Sequence, residues 1–308
     1  MTFLLFAIKK TARFLLTMFL VSSIIFFIIR IIPGDPALII AGVDASETQV
    51  QLLREKIGTN KPVGTQYLNF LMQVIHFDFG SSLISGEPVK DLVLTRFSLT
   101  LQLAVLGILL GLALALPLGV LSAVQRWSFW DYFGMFLSQT GMAVPSFWMG
   151  IMLLLIFSVR FPIFPLFGAE SFKHLVLPAL VLGFERAAVI LRLVRTSMIE
   201  EMSREYIITA RAKGLPENVV KFKHALKNAL LPIITITGIQ FGYMLGGAII
   251  IEQVFSLPGL GRLFLSGILQ RDFPVIQGGV IFVSLIFSLI NFFADLLYGW
   301  ANPRIRIF

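Results

Sequence analysis

The sequence predicts an all-α membrane protein of six transmembrane helices, with both termini in the cytoplasm and an outer insertion after the first helix. Composition is the first observation: 57% of the 308 residues are hydrophobic and 14% are charged. Soluble domains are about half apolar and about a quarter charged. The other two observations are the lengths of the apolar runs and the distribution of Lys and Arg.

Six apolar runs have the length that a bilayer crossing needs, about 20 residues. They lie near residues 14–32, 98–124, 133–159, 175–199, 231–251 and 278–300. The first follows three basic residues, as a signal peptide would, but it is long and no small-residue cleavage site follows it. We therefore expect an uncleaved first helix that ends at the Pro-Gly-Asp-Pro sequence of residues 33–36.

Basic residues of the short loops give the orientation, because cytoplasmic loops are enriched in Lys and Arg. With six spans, one side receives Lys9, Lys10, Arg126, the basic residues between 204 and 227, and Arg304. We expect this side to be cytoplasmic. The predicted regions are residues 1–32 with the first helix, an outer-facing, partly helical insertion at 33–97, and a five-helix core at 98–308 that includes a cytoplasmic segment at 200–232.

Several functions are disfavoured by what the sequence lacks. The net charge of +8 would suit nucleic acid, but no basic stretch is interleaved with stacking aromatics, so membrane lipid is the expected partner of these charges. The absence of cysteine excludes disulfides and thiolate metal sites, and the three histidines have no ligand spacing. No phosphate-binding loop is present: Gly259-Leu260-Gly261-Arg262 has the glycines without the Lys-Ser/Thr step.

The segment 200–232 consists of two amphipathic helical pieces on either side of Gly214-Leu215-Pro216. Glycine permits a tight turn, and proline is well tolerated at the start of a helix. Such a surface helix suits docking to a partner and transmission of its motion. It equally suits a solvated helix whose basic residues touch anionic lipid. The residues alone leave both possibilities open.

Residues 206–232 resemble the coupling region of binding-protein-dependent ABC importer permeases, in which E-A-A, three residues and Gly precede I-x-L-P. Ala210 and Gly214 match that form, whereas Ile208 and Thr209 replace its Glu and first Ala. The replacements agree with the dipeptide, oligopeptide and nickel subfamily, where T-A-R-A-K-G and H-A-L-x-N-A-L-L-P are typical. Further blocks that resemble this subfamily follow in order along the chain, at 33–37, 77–82, 252–262, 271–277 and 302–306.

The resemblance implies a transport subunit that is not itself an enzyme and holds no cofactor. ATP and Mg would bind two ATP-binding cassette subunits, a second, homologous permease subunit would complete the pathway, and an extracytoplasmic substrate-binding protein would deliver cargo. The coupling to the ATPase would fall on Ala210, Arg211, Ala212, Lys213, Gly214, Leu215, Pro216 and Glu217. Di- or oligopeptides, glutathione-like ones included, are the expected cargo, because no metal-ligand spacing occurs in the spans. A nickel chelate needs no protein ligands and stays the alternative.

Charged residues inside the fourth span are candidates for the pathway or its gate, namely Glu185, Arg186 and Arg192. The alternatives are a structural salt bridge and arginines that extend to the cytoplasmic interface. The loop after the fifth span supplies further candidates: Glu252, Phe255, Pro258, Gly259, Gly261 and Arg262. It would reach into the pathway, since non-helical backbone at that depth is tolerated beside a cavity, or it would close the fifth helix against the sixth.

The sequence is less consistent with two other classes of function. A secondary transporter or channel would work without ATP and usually contains internal repeats, which are not evident here. A polytopic scaffold or intramembrane enzyme would need, as an enzyme, a nucleophile, dyad or metal cluster within the spans, and the sequence shows none.

Overall fold

A computed structural model describes residues 3–31, 36–41 and 45–301, so most of the 33–37 block and the whole 302–306 block lie outside the described residues. Within those ranges the chain is helical apart from turns, loops and one isolated bridge between Ser81 and Pro88. The helices are α1 Phe3–Ile31, α2 Pro36–Ala41, α3 Glu47–Ile57, α4 Val63–Ile75, α5 Val89–Val124, α6 Phe129–Ala143, α7 Ser146–Leu154, α8 Lys173–Met202, α9 Glu205–Ala212, α10 Leu226–Gly247, α11 Ile249–Val254, α12 Leu260–Leu269 and α13 Phe273–Ala301. Two π-helical segments, Leu155–Arg160 and Val219–Ala225, extend α7 and precede α10.

Among the described residues, five helices are long and apolar enough to cross a membrane: α1, α5, α8 and α13, together with α10 and the π segment before it. The third predicted span is different, because α6 and α7 meet at an angle of 99°. The prediction of one continuous helix over 133–159 was therefore wrong. Proline disfavours helical backbone at the preceding residue, and Val144, before Pro145, is extended with φ −81° and ψ 122°.

Helices α5 and α8 run parallel to each other. A Cβ on Gly107 would contact Ala179 and Leu182, whereas one on Gly119 would contact Leu191 and Val194, so contacts advance in the same direction along both helices. Both helices therefore end at the same end of the bundle. At that end the Arg126 guanidinium donates to the backbone carbonyl of Ile199 over 3.4 Å.

Helices α6 and α7, called the bent pair below, bring the chain back along α8. The first helix of the pair is antiparallel to α8: Asp131 bonds to Arg195, and the Ser138 hydroxyl donates to the carbonyl of Ala188 over 2.8 Å. Because α8 must then begin at the far end, about 45 Å away at 1.5 Å per residue, α6 and α7 carry the chain once along the bundle.

The directions of α1, α10 and α13 follow from their contacts in the same way. A Cβ on Gly242 would meet Phe287, and one on Gly246 would meet Val283, so α10 and α13 are antiparallel. The rings of Phe14 and Phe292 lie 6.2 Å apart, which places the first part of α1 beside the last part of α13. One end of the bundle thus holds the start of α1, the finish of α13 and α9, and it is called the α9 end below. The opposite end is called the α12 end.

Part of the predicted outer insertion packs on the first span. The Ser23 hydroxyl lies 2.7 Å from the Tyr67 hydroxyl, and the Arg30 guanidinium donates to the Gln66 side chain over 2.7 Å. Phe26, fully buried, packs its ring against Tyr67. Helix α5 begins at Val89, ahead of the predicted residue 98, because its first turns are polar and extend beyond the apolar run.

Candidate translocation and coupling sites

The α9 end presents the segment predicted to couple to an ATPase. Helix α9 and the π segment Val219–Ala225 form the two helical pieces expected on either side of the break, although sequence periodicity did not reveal that the second is π-helical. Gly214 adopts φ +75°, the left-handed conformation that glycine adopts readily. Residues 211–217 are exposed, and Ala210 is the one predicted coupling residue that is buried.

An ion pair closes the turn at the tip of this segment. The Arg211 Nε lies 2.7 Å from Glu217 Oε1, and Lys221 lies 3.9 Å from the other carboxylate oxygen. The hydrogen bond from Arg211 lowers the pKa of the exposed Glu217 carboxyl. Exposed pairs contribute little to stability, so this one joins the two sides of the turn without adding much to the free energy of folding.

Tyr206 joins three helices, and sequence reasoning did not single it out. Its hydroxyl donates to Glu201 Oε2 over 2.6 Å at the end of α8 and accepts from Asn228 Nδ2 over 2.9 Å at the start of α10. Burial, followed by the hydrogen bond to Glu201, raises the pKa of Tyr206. The residue also lines a cleft of about 670 Å³ with Glu200, Ser203, Arg204 and Glu205.

A buried carboxylate ties three helices together at the α9 end. Asp131 is 3% exposed and accepts hydrogen bonds from Arg195 Nε over 2.6 Å, from Arg195 Nη2 over 3.0 Å and from the Trp127 backbone N–H over 3.0 Å. The Ser122 hydroxyl also donates to it. Arg195 is therefore engaged in a structural ion pair, one of the alternatives expected for arginines of the fourth span. No local pattern pointed to the partner, which is 64 residues away in the sequence.

The three charged residues proposed for the pathway divide between two faces of α8. Arg186 Nη2 lies 3.0 Å from the Glu185 carboxylate, and Arg186 Nη1 donates to Gln240 Oε1 of α10 over 3.0 Å. Arg186 Nε is buried and has no partner among the described residues. Glu185 and Arg192, which are seven residues apart and so share a helix face, both lie on a more open side of α8.

The loop near Glu252 is closed by a network of hydrogen bonds. The Glu252 side chain is fully buried and accepts from the Thr100 hydroxyl over 2.7 Å and from the Arg262 backbone N–H over 3.0 Å. Burial raises the pKa of this carboxyl. A Cβ on Gly259 would collide with the Glu252 carboxylate, and one on Gly261 would collide with the Ile249 backbone.

The other loop candidates take part in the same closure. Phe255 is buried, and the Pro258 carbonyl accepts from Arg96 over 3.4 Å at a cleft of about 360 Å³. The Arg262 guanidinium is exposed and donates to the Ser256 carbonyl. These contacts support the expectation of a compact loop between the fifth and sixth spans. Among the described residues, no three His, Asp or Glu side chains converge as metal ligands.

Comparison with known proteins decides the family. The model of the binding-protein-dependent transport system inner membrane component matches residues 115–307, and the N-terminal model of such membrane components matches residues 3–104. The chain belongs to this family. It is a multi-pass inner-membrane protein, as the hydropathy and the resemblance predicted.

Individual relatives agree with this assignment. The chain is 39% identical over 301 residues to the glutathione transport system permease protein GsiC of Salmonella typhimurium strain LT2, and 98% of each chain is covered. The Escherichia coli K12 protein of the same name matches with the same identity and coverage. A solved structure of the MetNI methionine ABC transporter in an inward-facing conformation matches with a TM-score of 0.57 and 18% identity, over 68% of this chain and 96% of that one. That likeness supports the fold.

Proposed function

We propose that this chain is the permease subunit of an ABC importer that moves glutathione-like or other short peptides into the cell. The observation that carries the proposal is the 39% identity to glutathione transport permeases along 98% of both chains. Coverage this complete includes the coupling segment, the spans, the predicted outer insertion and the loop after the fifth span. A nickel chelate is the alternative cargo left open by the subfamily, and no residue cluster of the described chain favours it.

The α9 end is the proposed docking site for the ATP-binding cassette subunits, and we infer that it faces the cytoplasm. Its tip carries residues 211–217, exposed and including Arg211 and Lys213, which suits docking in a cleft of a partner. Tyr206 bonds to both α8 and α10. Motion of α9 would therefore reach two long helices directly.

The α12 end is the proposed face for the substrate-binding protein. A second, related permease subunit would complete the translocation pathway, which would lie between the two permease subunits. ATP and Mg would bind the cassette subunits, because this chain has no phosphate-binding loop of the G-x-x-x-x-G-K-[ST] type.

Uptake in a deletion strain tests the proposal. Cells that lack this chain but keep its partner subunits should lose uptake of labelled glutathione or a labelled dipeptide, and the restored chain should recover it. Nickel uptake should be the same in both strains, and uptake of a sugar through an unrelated transporter controls for general membrane damage. Loss of nickel uptake with unchanged peptide uptake would replace the proposed cargo by the alternative.

A further inference from the structure

Between residues 181 and 198, helix α8 is covered by other helices except along one face. Its Gly183 side packs on α5, its Ala188 side packs on α6, and Arg186 reaches α10. The face opposite α5 carries, at intervals of three or four residues, Glu185, Val189, Arg192 and Thr196. These four residues are called the α8 stripe. Arg192 and Thr196 are exposed, and the Glu185 side chain is 31% exposed.

The α8 stripe is unlike the surfaces that face lipid. Exposed side chains in the middle of other long helices are mostly apolar, as with Ile24 of α1, Leu109 of α5 and Phe136 of α6. Exposed polar side chains there, such as Gln102 and Gln139, carry no charge. A charged side chain in contact with hydrocarbon is costly, and such residues usually face a water-filled cavity or a partner. The stripe carries an acid, a base and a hydroxyl, so it faces water or a polar partner.

The charged residues of the stripe and the adjacent Arg186 differ in how many partners they have. Glu185 is paired with Arg186, which is also held by Gln240. The Arg192 guanidinium makes no ion pair or side-chain hydrogen bond within the part of the chain that the structure describes. Two guanidinium groups and one carboxylate thus leave a positive excess, and the free donors belong to Arg192 and to the buried Nε of Arg186.

We propose that the α8 stripe is a cargo-binding site in the translocation pathway, where Arg192 binds a carboxylate of a short peptide and Glu185 binds its ammonium group. This inference rests on the proposed function. Seven residues of helix place the two side chains about 10 Å apart, and two or three extended residues span about 7–11 Å. A peptide with two carboxylates and one ammonium group, as in glutathione, complements the positive excess of Arg186, Glu185 and Arg192 taken together.

Reaction with a thiol reagent tests whether the stripe faces water, and the chain offers a clean background because it has no cysteine. Val189→Cys and Thr196→Cys leave the charges in place, and Leu109→Cys is the lipid-facing control. The complete transporter, in nanodiscs so that both faces are reachable, would be treated with a charged methanethiosulfonate. The first two variants should react at least tenfold faster than the control, and a dipeptide with loaded binding protein and ATP should slow them severalfold.

Two results of that experiment would overturn the proposal. Stripe cysteines as unreactive as Leu109→Cys would mean that lipid or the second permease subunit covers the stripe. Rapid labelling that no peptide slows would mean that the stripe faces water but binds no cargo. Membrane level and co-purification of the partner subunits show that each variant has assembled.

Uptake kinetics separate this inference from the proposed function. Arg192→Gln should raise the KM for glutathione or a dipeptide at least tenfold, and Arg192→Lys should recover most of the loss, because a cation is what the carboxylate needs. Arg160→Gln, an exposed arginine off the stripe, is the matched control and should behave as wild type. Wild-type uptake of peptide with no effect of Arg192→Gln would retain the proposed function and overturn the site. Absence of peptide uptake by the wild type would overturn both.

Discussion

At the scale of single residues, Gly214 determines the shape of the coupling tip. It holds φ +75°, and an added Cβ would meet no atom of the chain within 4 Å. Within the chain, the requirement for glycine is therefore the backbone conformation and not lack of space. The Arg211–Glu217 pair only joins the two exposed sides of the turn. A change of φ at Gly214 would therefore redirect the start of the π segment.

Gly214→Val should abolish or strongly reduce uptake while the chain still inserts in the membrane. Left-handed backbone costs a residue with a Cβ about 1–2 kcal/mol, and more for a β-branched one, whereas Asn tolerates it best. Gly214→Asn is therefore the matched variant and should keep most uptake. The measurements are membrane level, co-purification of the ATPase and uptake of labelled peptide. Equal loss in both variants would show that close approach of a partner, and not φ, requires the glycine.

Residue-scale features were predictable where they depend on local geometry. The turn at Gly214 and the shared face of Glu185 and Arg192 both follow from spacing of a few residues. The Asp131–Arg195 pair was not predictable, because a 64-residue separation carries no periodic signal. The Glu252 carboxylate was named as a candidate, but its burial against Thr100 depends on how α5 meets α11.

At the scale of helices, the contact between α5 and α8 depends on small residues. A Cβ on Gly183 would lie 2.7 Å from the Gly107 carbonyl oxygen, and the obstacle is backbone that cannot move aside. Small residues let helices approach closely in a membrane, where dispersion contacts and hydrogen bonds drive association. This contact sets the position of α8, and therefore of the stripe and of Tyr206's partner Glu201.

Gly183→Ala should destabilise the chain by about 1–3 kcal/mol, the usual effect of overpacking a tight contact. Gly246→Ala is the matched control, because the nearest atom to its added Cβ is Val283 Cγ1 at 3.7 Å, an ordinary contact. The thermal midpoint of the detergent-purified transporter should fall clearly for the first variant and stay near wild type for the second. A midpoint unchanged by Gly183→Ala would show that α5 and α8 are not packed as closely as described.

Helix ends and breaks were harder to predict than helix existence. Pro117, Pro178 and Pro232 lie inside continuous helices, whereas Pro145 separates α6 from α7. Proline alone therefore does not locate a break. Hydropathy likewise ends a span where the apolar run ends, so it missed the polar first turns of α5 from Val89.

At the scale of the whole molecule, the direction of each long helix follows from its neighbours. Parallel α5 and α8 require one return of the chain between them, and the bent pair supplies it. If α6 and α7 instead entered and left on one face, α8 would begin where α5 ends, and Gly107 would not face Ala179 and Leu182. If the bent pair is counted as one crossing, the described residues contain six candidate spans, the number expected from hydropathy, although the third span is broken.

The arrangement predicts opposite sides for the loop before α8 and the tip after α9. Glu170 and Lys213, both exposed, are suitable positions for single cysteines, since the chain has none of its own. In spheroplasts, an impermeant maleimide should label Glu170→Cys at once but Lys213→Cys only after permeabilisation. Labelling of both cysteines from outside would require α6 and α7 to re-enter on one face. Labelling of Lys213→Cys alone would mean that the molecule has the opposite orientation in the membrane, with the α9 end away from the ATPase. The expected pattern is the one in which a single crossing by the bent pair brings α9 to the face where ATP is available.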